Sequence, residues 1–157
     1  MPAMTYRRAI ALISLVSCMV ALYLALWKMG YMGRLACAGG SHGCEYVQGS
    51  RYGWFFGVDV ALIGTLGYAA IVAIALAGTT DALEAATWPT QVLMVLIYGA
   101  VLFTLRLKYA EFVILKSFCP WCAVSAIAIT LDAILITLDW RRVRAASGPP
   151  VLLQQST

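Results

Sequence analysis

The chain has 157 residues, of which 62% are hydrophobic and only 11% are charged, and its mean hydropathy is +0.85. This composition excludes a soluble globular domain, in which about a quarter of the residues are charged. The formal net charge of +4 is concentrated near the two ends and gives no indication of nucleic-acid binding. A bilayer core about 30 Å thick requires roughly 20 apolar residues per helix. We therefore predict an all-α integral membrane protein, a single bundle of four transmembrane helices.

The first apolar run, residues 9–27, follows Arg7 and Arg8 and predicts the first helix after a short tail of residues 1–8. A cleaved signal peptide is the alternative, because residues 15–18 resemble a lipoprotein cleavage site. The apolar run continues well beyond that site and is too long for the apolar core of a signal peptide. A retained transmembrane helix is the better interpretation.

The longest polar stretch, residues 28–57, is predicted to be an outer loop. It contains Cys37 and Cys44 within a glycine-rich segment that is unsuited to a stable helix. Such a segment would let the two cysteines meet each other or exchange disulfide partners. Phe55 and Phe56 near its end are typical of an aromatic belt at the membrane surface.

Three further apolar runs predict helices at 58–77, 89–115 and 119–138. The charged residues near the end of the third run are expected at the membrane interface, since long charged side chains can extend to water. The residues after the fourth run, 141–157, are predicted to form a disordered cytoplasmic tail. The four helices and their connections make up a domain of residues 9–140.

A C-x-x-C motif, Cys119-Pro-Trp-Cys122, stands at the head of the last helix. Pro120 suits the first helical position, which would place Cys119 at the N-cap. The positive end of a helix stabilises a thiolate and lowers the pKa of the thiol, so the pair is predicted to be redox-active. Two alternatives remain open: a zinc site shared with Cys37 and Cys44, and inert structural disulfides. The C-x6-C spacing of the loop pair is wider than is usual for zinc.

Four spanning helices place both termini on one side of the membrane and both cysteine pairs on the other. The terminal arginines favour a cytoplasmic location for the tails, although the outer loop also carries basic residues. Disulfide exchange requires an oxidising compartment, which supports the same orientation. Two acids lie in or directly after the last predicted helix. Asp132 is expected to hydrogen-bond to another helix, and Asp139 to meet solvent or the arginines.

These residues resemble the vitamin K epoxide reductase family in its bacterial, four-helix form, and the resemblance covers residues 9–138. The elements that carry it are, in chain order, Cys37 and Cys44, Ser50 six residues later, Gly53-Trp54, the glycines and tyrosine of 57–68, Glu111, and Cys119-Pro-Trp-Cys122. The other quinone-linked four-helix family, the disulfide-bond protein B type, carries its C-x-x-C motif in the first outer loop. The position of the motif here argues against that family.

The resemblance implies a membrane thiol–disulfide oxidoreductase with a quinone, ubiquinone or menaquinone, in a pocket inside the bundle. A reduced partner would attack the Cys37–Cys44 disulfide at Cys37, Cys44 would attack Cys119, and Cys122 would leave as a thiolate facing the quinone. Residues that the resemblance and the aromatic pattern suggest for the pocket are Ser50, Phe55, Phe56, Glu111, Trp121 and Ala126. No bound metal is implied.

The resemblance also implies partners and a location. Many bacterial members carry a fused thioredoxin-like domain, and this chain is expected to use a separate thioredoxin-fold protein on the outer face of a bacterial inner membrane. The membrane quinone pool would be the electron acceptor. Two positions depart from the family pattern: Asp59 where bacterial members often have proline, and Ala126 where vertebrate members place a tyrosine. The second departure argues against vitamin K epoxide as the substrate and leaves quinone reduction unaffected.

Overall fold

A computed structural model describes residues 3–37, 42–80, 83 and 86–146 of the chain. Four helices in these ranges are long and apolar enough to cross a membrane. They are α1 (Ala3–Lys28), α3 (Val60–Ala77), α4 (Trp88–Tyr109) and α5 (Pro120–Ala146), and α2 (Gly43–Gly49) is a short helix between the first two. The predicted all-α fold with four membrane-spanning helices is confirmed.

The N-terminal end of the bundle is more helical than the sequence predicts. The prediction of a tail at residues 1–8 is corrected, because α1 begins at Ala3. Within this added segment the Arg7 side chain is completely buried and hydrogen-bonds to the backbone carbonyl oxygen of Gly78 at the end of α3. This contact joins the first turns of α1 to the end of α3.

The C-terminal end shows a similar difference. The prediction of a helix ending at residue 138, followed by a tail at 141–157, is corrected as far as Ala146, where α5 ends. Cationic side chains near the end of this helix lie over aromatic rings, with the Arg144 guanidinium 4.9 Å from the ring centre of Trp140. Basic residues also favour the negative end of a helix dipole. The rest of the predicted tail lies outside the described residues.

The third spanning helix extends to Leu115, as the predicted helix over 89–115 requires, but its last part is not α-helical. After Tyr109, α4 continues as a π-helical turn, Ala110–Leu115, which ends at Lys116 in the left-handed conformation with φ of 49°. A π-turn is wider than an α-turn and changes which side chains face the core. Here it buries Glu111, which is 2% exposed, and leaves Phe112 largely exposed.

The outer loop contains more structure than its glycine content predicts. Helix α2 begins within the glycine-rich segment, at Gly43, and therefore corrects the expectation of an irregular chain from there on; residues 38–41 lie outside the described part of the chain. A 3-10 turn (Arg51–Gly53) and a two-residue antiparallel hairpin, β1 (Trp54–Phe55) and β2 (Val58–Asp59), lead from α2 to α3.

Asp59, one of the two departures from the family pattern, connects this loop to the bundle. Its carboxylate accepts a hydrogen bond from the backbone N–H of Ala61 at 3.0 Å and caps α3. The same carboxylate pairs with the ammonium of Lys28 at 2.7 Å, and Lys28 also donates to the Gly53 carbonyl oxygen at 2.7 Å. An N-cap aspartate therefore replaces proline as the residue that starts the helix.

The spanning helices form a closed ring in which α1 packs against α3 and α5, and α4 packs against the same two. The core is apolar and includes Ile71, Leu93 and Ile136. A buried polar contact joins two of the helices, from the Ser14 hydroxyl of α1 to the Asp132 carboxylate of α5 at 2.7 Å. The prediction that Asp132 hydrogen-bonds to another helix is confirmed.

Candidate functional site

The two cysteine pairs meet at one end of the bundle. Cys44 on α2 and Cys119 immediately before α5 are both fully buried and belong to the same apolar cluster, with Cys37 and Cys122 packed against it. Leu24 and Ala25 of α1 contribute to this cluster and hold the loop against the head of α5. Two pairs that are far apart in the sequence therefore share one desolvated site.

The pairs differ in redox state in this structure. Cys37 and Cys44 form a disulfide, whereas Cys119 and Cys122 are free thiols. The disulfide leaves only two of the four thiolates that the zinc alternative requires. Within the described residues, no three Cys, His, Asp or Glu side chains group together as metal ligands.

Cys119 is held by the π-helical turn. Its backbone N–H donates to Glu111 Oε1 at 2.6 Å, and Lys108 Nζ donates to Glu111 Oε2, also at 2.6 Å. Helix α5 begins at Pro120, so Cys119 takes the N-cap place that the sequence predicts. A hydrogen bond with the Cys122 thiol lowers the pKa of Cys119 to about 7, against burial and the negative charge of Glu111, which raise it.

This pKa leads to a testable pH dependence. The thiolate is the reactive form, so alkylation of Cys119 in the reduced protein is expected to have a pH midpoint near 7, with reactivity lost below it. Cys122→Ala removes the hydrogen bond and should move the midpoint to higher pH, whereas Cys122→Ser keeps a donor and should move it less. Mass spectrometry of the Cys119 peptide after short iodoacetamide pulses measures the midpoint. Slow entry of the reagent to the buried thiol lowers the rate at every pH and does not shift the midpoint. Equal midpoints in wild type and Cys122→Ala would contradict the assignment.

Cys122 faces a different environment from Cys119. Its sulfur accepts a hydrogen bond from Gln48 Nε2 at 3.4 Å. Gln48 follows Cys44 by one turn of α2, and both side chains are buried. The Gly53 backbone packs so closely on the Gln48 carbonyl that no Cβ would fit there. The loop helix is thus fixed with its disulfide and an amide donor directed toward the head of α5.

A cavity of about 390 Å³ extends from Cys122 into the bundle between the spanning helices. Its wall is predominantly apolar, with Leu24, Ile71 and Phe103 among the lining side chains. The polar side chains that line it are Gln48, Tyr68, Thr104, Lys108, Glu111 and Ser125. A volume of this size with few polar groups suits a flat, largely apolar ligand.

Two of the residues suggested for the pocket line this cavity, Glu111 and Trp121. The Trp121 indole N–H also donates to the Ala36 carbonyl oxygen at 2.6 Å and so ties the loop to α5. The remaining four, Ser50, Phe55, Phe56 and Ala126, are in the described part of the chain and are not among the lining residues.

The loop residues among these four have other contacts. The Ser50 hydroxyl donates to the Val47 carbonyl oxygen at 2.7 Å and stabilises the end of α2. Phe55 stacks edge-on against Phe103, with ring centres 5.4 Å apart, and thus lies one layer behind the cavity wall. Phe56 is 91% exposed, which is consistent with the expected aromatic belt.

The sequence interpretation did not identify Gln48, Tyr68, Lys108 or Ser125 as cavity residues. Helical spacing offered a signal for one of them: Ser125 is three residues after Cys122 and therefore on the same face of α5. Gln48 likewise lies one turn after Cys44 on the same face of α2, but the sequence predicted no helix there.

Residues 8–137 of the chain match the model of the family described as the vitamin K epoxide reductase family. The match includes both cysteine pairs and most of each spanning helix. That family consists of membrane-embedded helical bundles with disulfide oxidoreductase activity that is generally linked to quinones. The chain therefore belongs to the vitamin K epoxide reductase family, and is a multi-pass membrane oxidoreductase that acts through cysteines.

Proposed function

We propose that the protein generates disulfide bonds by oxidising a thioredoxin-fold partner outside the cytoplasm and passing the electrons to a quinone in a bacterial inner membrane. The observation that supports this most directly is the joint burial of Cys44 and Cys119 in one cluster, with Cys122 next to an apolar cavity. The cluster gives electrons a path from the loop disulfide to the interior of the bundle.

Each transfer is a thiolate–disulfide exchange in which one S–S bond forms as another breaks. A partner thiolate attacks Cys37 and releases the Cys44 thiolate. Cys44 attacks Cys119 of an oxidised Cys119–Cys122 pair and releases the Cys122 thiolate. The partner's second thiolate then frees Cys37, which attacks Cys44 and releases Cys119, so that the loop disulfide re-forms. The partner has lost two electrons, and the inner pair has gained them.

In this structure the loop pair is oxidised and the inner pair is reduced. The four exchange steps described above end in the same state. Gln48 is placed to stabilise negative charge on Cys122, and the Glu111 carboxylate fixes the backbone of Cys119. Charged groups in such a low-dielectric site act more strongly than in water.

The cavity fits a quinone. Its lining is apolar, and the amide of Gln48 and the hydroxyls of Tyr68 and Ser125 can donate to carbonyl oxygens. Lys108 and Glu111 close the cavity near Cys122 and can hold protons there. The chemistry that a quinone supplies when bound is acceptance of two electrons and two protons from the Cys119–Cys122 dithiol.

The proposed orientation places the cysteines on the outer side. The opposite end of the bundle carries Arg7, Arg8 and the arginines at the end of α5, which the positive-inside rule favours in the cytoplasm. A reporter protein that is active only in the cytoplasm should therefore be active when it is fused to either terminus.

The proposal is tested with the purified protein in detergent, a dithiol and a short-chain ubiquinone or menaquinone analogue. Wild type should cause loss of quinone absorbance at a rate that depends on protein concentration. In membranes, Cys44→Ser should accumulate a thioredoxin-fold protein linked through Cys37. The adduct forms when the free Cys37 thiolate attacks the disulfide of the oxidised partner, and it persists because Cys44 is absent and cannot displace the partner from Cys37. Stoichiometric zinc, or cysteines that remain fixed in static disulfides, would contradict the proposal and support a non-catalytic membrane protein.

A further inference from the structure

The cavity contains a pair of hydroxyl groups that the cysteine chemistry does not use. Tyr68 of α3 and Ser125 of α5 lie with their hydroxyl oxygens 2.7 Å apart, and Tyr68 Oη is also 3.2 Å from the Ser125 carbonyl oxygen. Both residues line the cavity, and Tyr68 is only 7% exposed. A polar pair is therefore maintained on a predominantly apolar wall.

Ser125 differs from the other hydroxyl residues of its helix. Thr130 and Thr137 each donate to the carbonyl oxygen four residues earlier, at 2.7 and 2.6 Å. Thr137 adds a contact with Tyr98 to this backbone bond, whereas the hydrogen bond found for the Ser125 hydroxyl is the one with Tyr68. Two hydroxyls in contact carry two protons, and their own hydrogen bond uses one of them. When the Tyr68 proton is donated to Ser125, the Ser125 proton can turn toward a ligand in the cavity.

A second polar group, the Gln48 side chain, lies beside Cys122, about one turn of α5 before Ser125. Gln48 is 7% exposed, donates one amide N–H to the Cys122 sulfur and lines the same cavity, so its second N–H can serve a ligand. Cys122 and Ser125 are separated by about 4.5 Å along the axis of α5. The two oxygens of a para-quinone are roughly 5 Å apart, given C=O bonds of about 1.23 Å on opposite sides of a six-membered ring. The spacing of Cys122 and Ser125 along α5, beside which Gln48 and Tyr68 lie, is thus close to the separation of the two carbonyl oxygens of one ring.

We propose that the quinone ring binds parallel to α5, with one carbonyl oxygen accepting a hydrogen bond from Gln48 beside Cys122 and the other from the Tyr68–Ser125 pair. This inference rests on the proposed function and assigns three residues that position the acceptor. It also defines specificity: rings with two opposed carbonyls are preferred to rings with one.

The test measures equilibrium binding by quenching of tryptophan fluorescence, using protein whose cysteine pairs have been oxidised beforehand so that no reduction accompanies binding. The probes are 2,3-dimethyl-1,4-naphthoquinone, with two opposed carbonyls, and 1-tetralone, with one. Wild type should bind the dione about 3- to 10-fold more tightly, the effect of one neutral hydrogen bond. Tyr68→Phe combined with Ser125→Ala should remove this preference by weakening dione binding, while tetralone, which can still use Gln48, changes by less than about twofold.

Tyr98→Phe is the matched control. Tyr98 of α4 forms a similar hydroxyl pair with Thr137 of α5 at 2.8 Å and is not among the residues lining this cavity. It should leave the binding of both probes unchanged. Ser125→Ala alone, which removes only one oxygen atom, should give part of the loss and guards against misfolding of the double variant.

Three results would overturn the inference: equal affinity of wild type for both probes, an unchanged preference in the Tyr68 and Ser125 variants, or equal losses in Tyr98→Phe. If the first or second occurs while wild type still reduces quinone with a dithiol, the positioning role fails and the proposed function stands. If wild type binds neither probe and reduces no quinone, both fall together.

Discussion

Replacing any one of Cys37, Cys44, Cys119 and Cys122 with serine is expected to lower the rate of quinone-linked oxidation of a protein dithiol by at least about a thousandfold, as for other nucleophiles that act as one unit. The four sulfurs act in series, and the burial of Cys44 and Cys119 limits bypass by solution thiols. The rate is measured as loss of quinone absorbance with a reduced thioredoxin-fold protein as the substrate.

Cys18→Ser supplies the matched control. Cys18 lies within α1, and its thiol donates to the Thr65 carbonyl oxygen at 3.5 Å, far along the helix from the cysteine cluster. Serine can make the same contact, so the rate should stay within about twofold of wild type.

Because the four cysteines act in series, the effects of two substitutions should not add. A double variant, Cys37→Ser with Cys122→Ser, should be no slower than either single variant, because each step is already blocked. Thiol tagging with mass detection should show different species: Cys122→Ser retains the Cys37–Cys44 disulfide, whereas Cys37→Ser leaves Cys44 as a free thiol or joined to Cys119. Full turnover in any of the four single variants would contradict the relay.

The general architecture was accessible from the sequence because it depends on local properties. Apolar runs of membrane length fixed the number of helices, and a proline after Cys119 indicated where the last helix begins. The even number of spans then required both cysteine pairs to lie at one end, without knowledge of any tertiary contact. Their packing into one cluster is consistent with that argument.

The features that were missed depend on contacts between distant residues. The π-helical turn that buries Glu111 is stabilised by its bonds to Lys108 and to the Cys119 backbone, which no periodicity encodes. Helix α2 begins at the end of the glycine-rich segment, and its disulfide and Gln48 are packed against the head of α5. Aromatic residues of the loop were proposed for the pocket because aromatic rings are common in ligand sites, but position along the chain does not determine which layer a ring occupies. Phe55 lies behind Phe103 for that reason.

Arg7 is the largest single difference between the sequence interpretation and the structure. As part of a terminal cluster it was expected to mark the cytoplasmic side, and Asp139 was expected to meet solvent or the arginines. Both side chains are fully buried, with Arg7 Nε 3.4 Å from Asp139 Oδ2, so Asp139 meets an arginine as expected but away from solvent. Thr90 of α4 joins them by accepting from Arg7 and donating to Asp139, each at 2.9 Å. Of the arginines available to Asp139, it is thus Arg7 that it contacts.

The same guanidinium also holds the connection between α3 and α4. It donates to the carbonyl oxygens of Gly78 and Leu83, the latter at 3.3 Å. All four spanning helices or their ends are therefore tied to one side chain at the end of the bundle opposite the cysteines. A cation satisfied by carbonyl oxygens, a hydroxyl and a carboxylate is stable in this environment, whereas a buried carboxylate without its cation is not.

Arg7→Met is accordingly expected to lower the free energy of unfolding by about 3–5 kcal/mol, the cost of removing one partner from a buried ion pair. Unfolding of the detergent-solubilised protein, followed by its helical circular dichroism against denaturant, measures the loss. Arg8→Met provides the control, since Arg8 is the adjacent residue and is exposed, and it should change the stability by less than about 0.5 kcal/mol.

A second change separates the charge from the packing. Asp139→Leu in the Arg7→Met background removes the carboxylate that the first change leaves uncompensated, so the double variant should be more stable than Arg7→Met alone. If the double variant instead loses as much as the two single changes added together, the contribution of Arg7 lies in its carbonyl contacts rather than in the ion pair. Equal stability of Arg7→Met and Arg8→Met would show that the buried network contributes nothing. The cysteine chemistry, at the other end of the bundle, should be lost in Arg7→Met only under conditions in which the helices themselves separate.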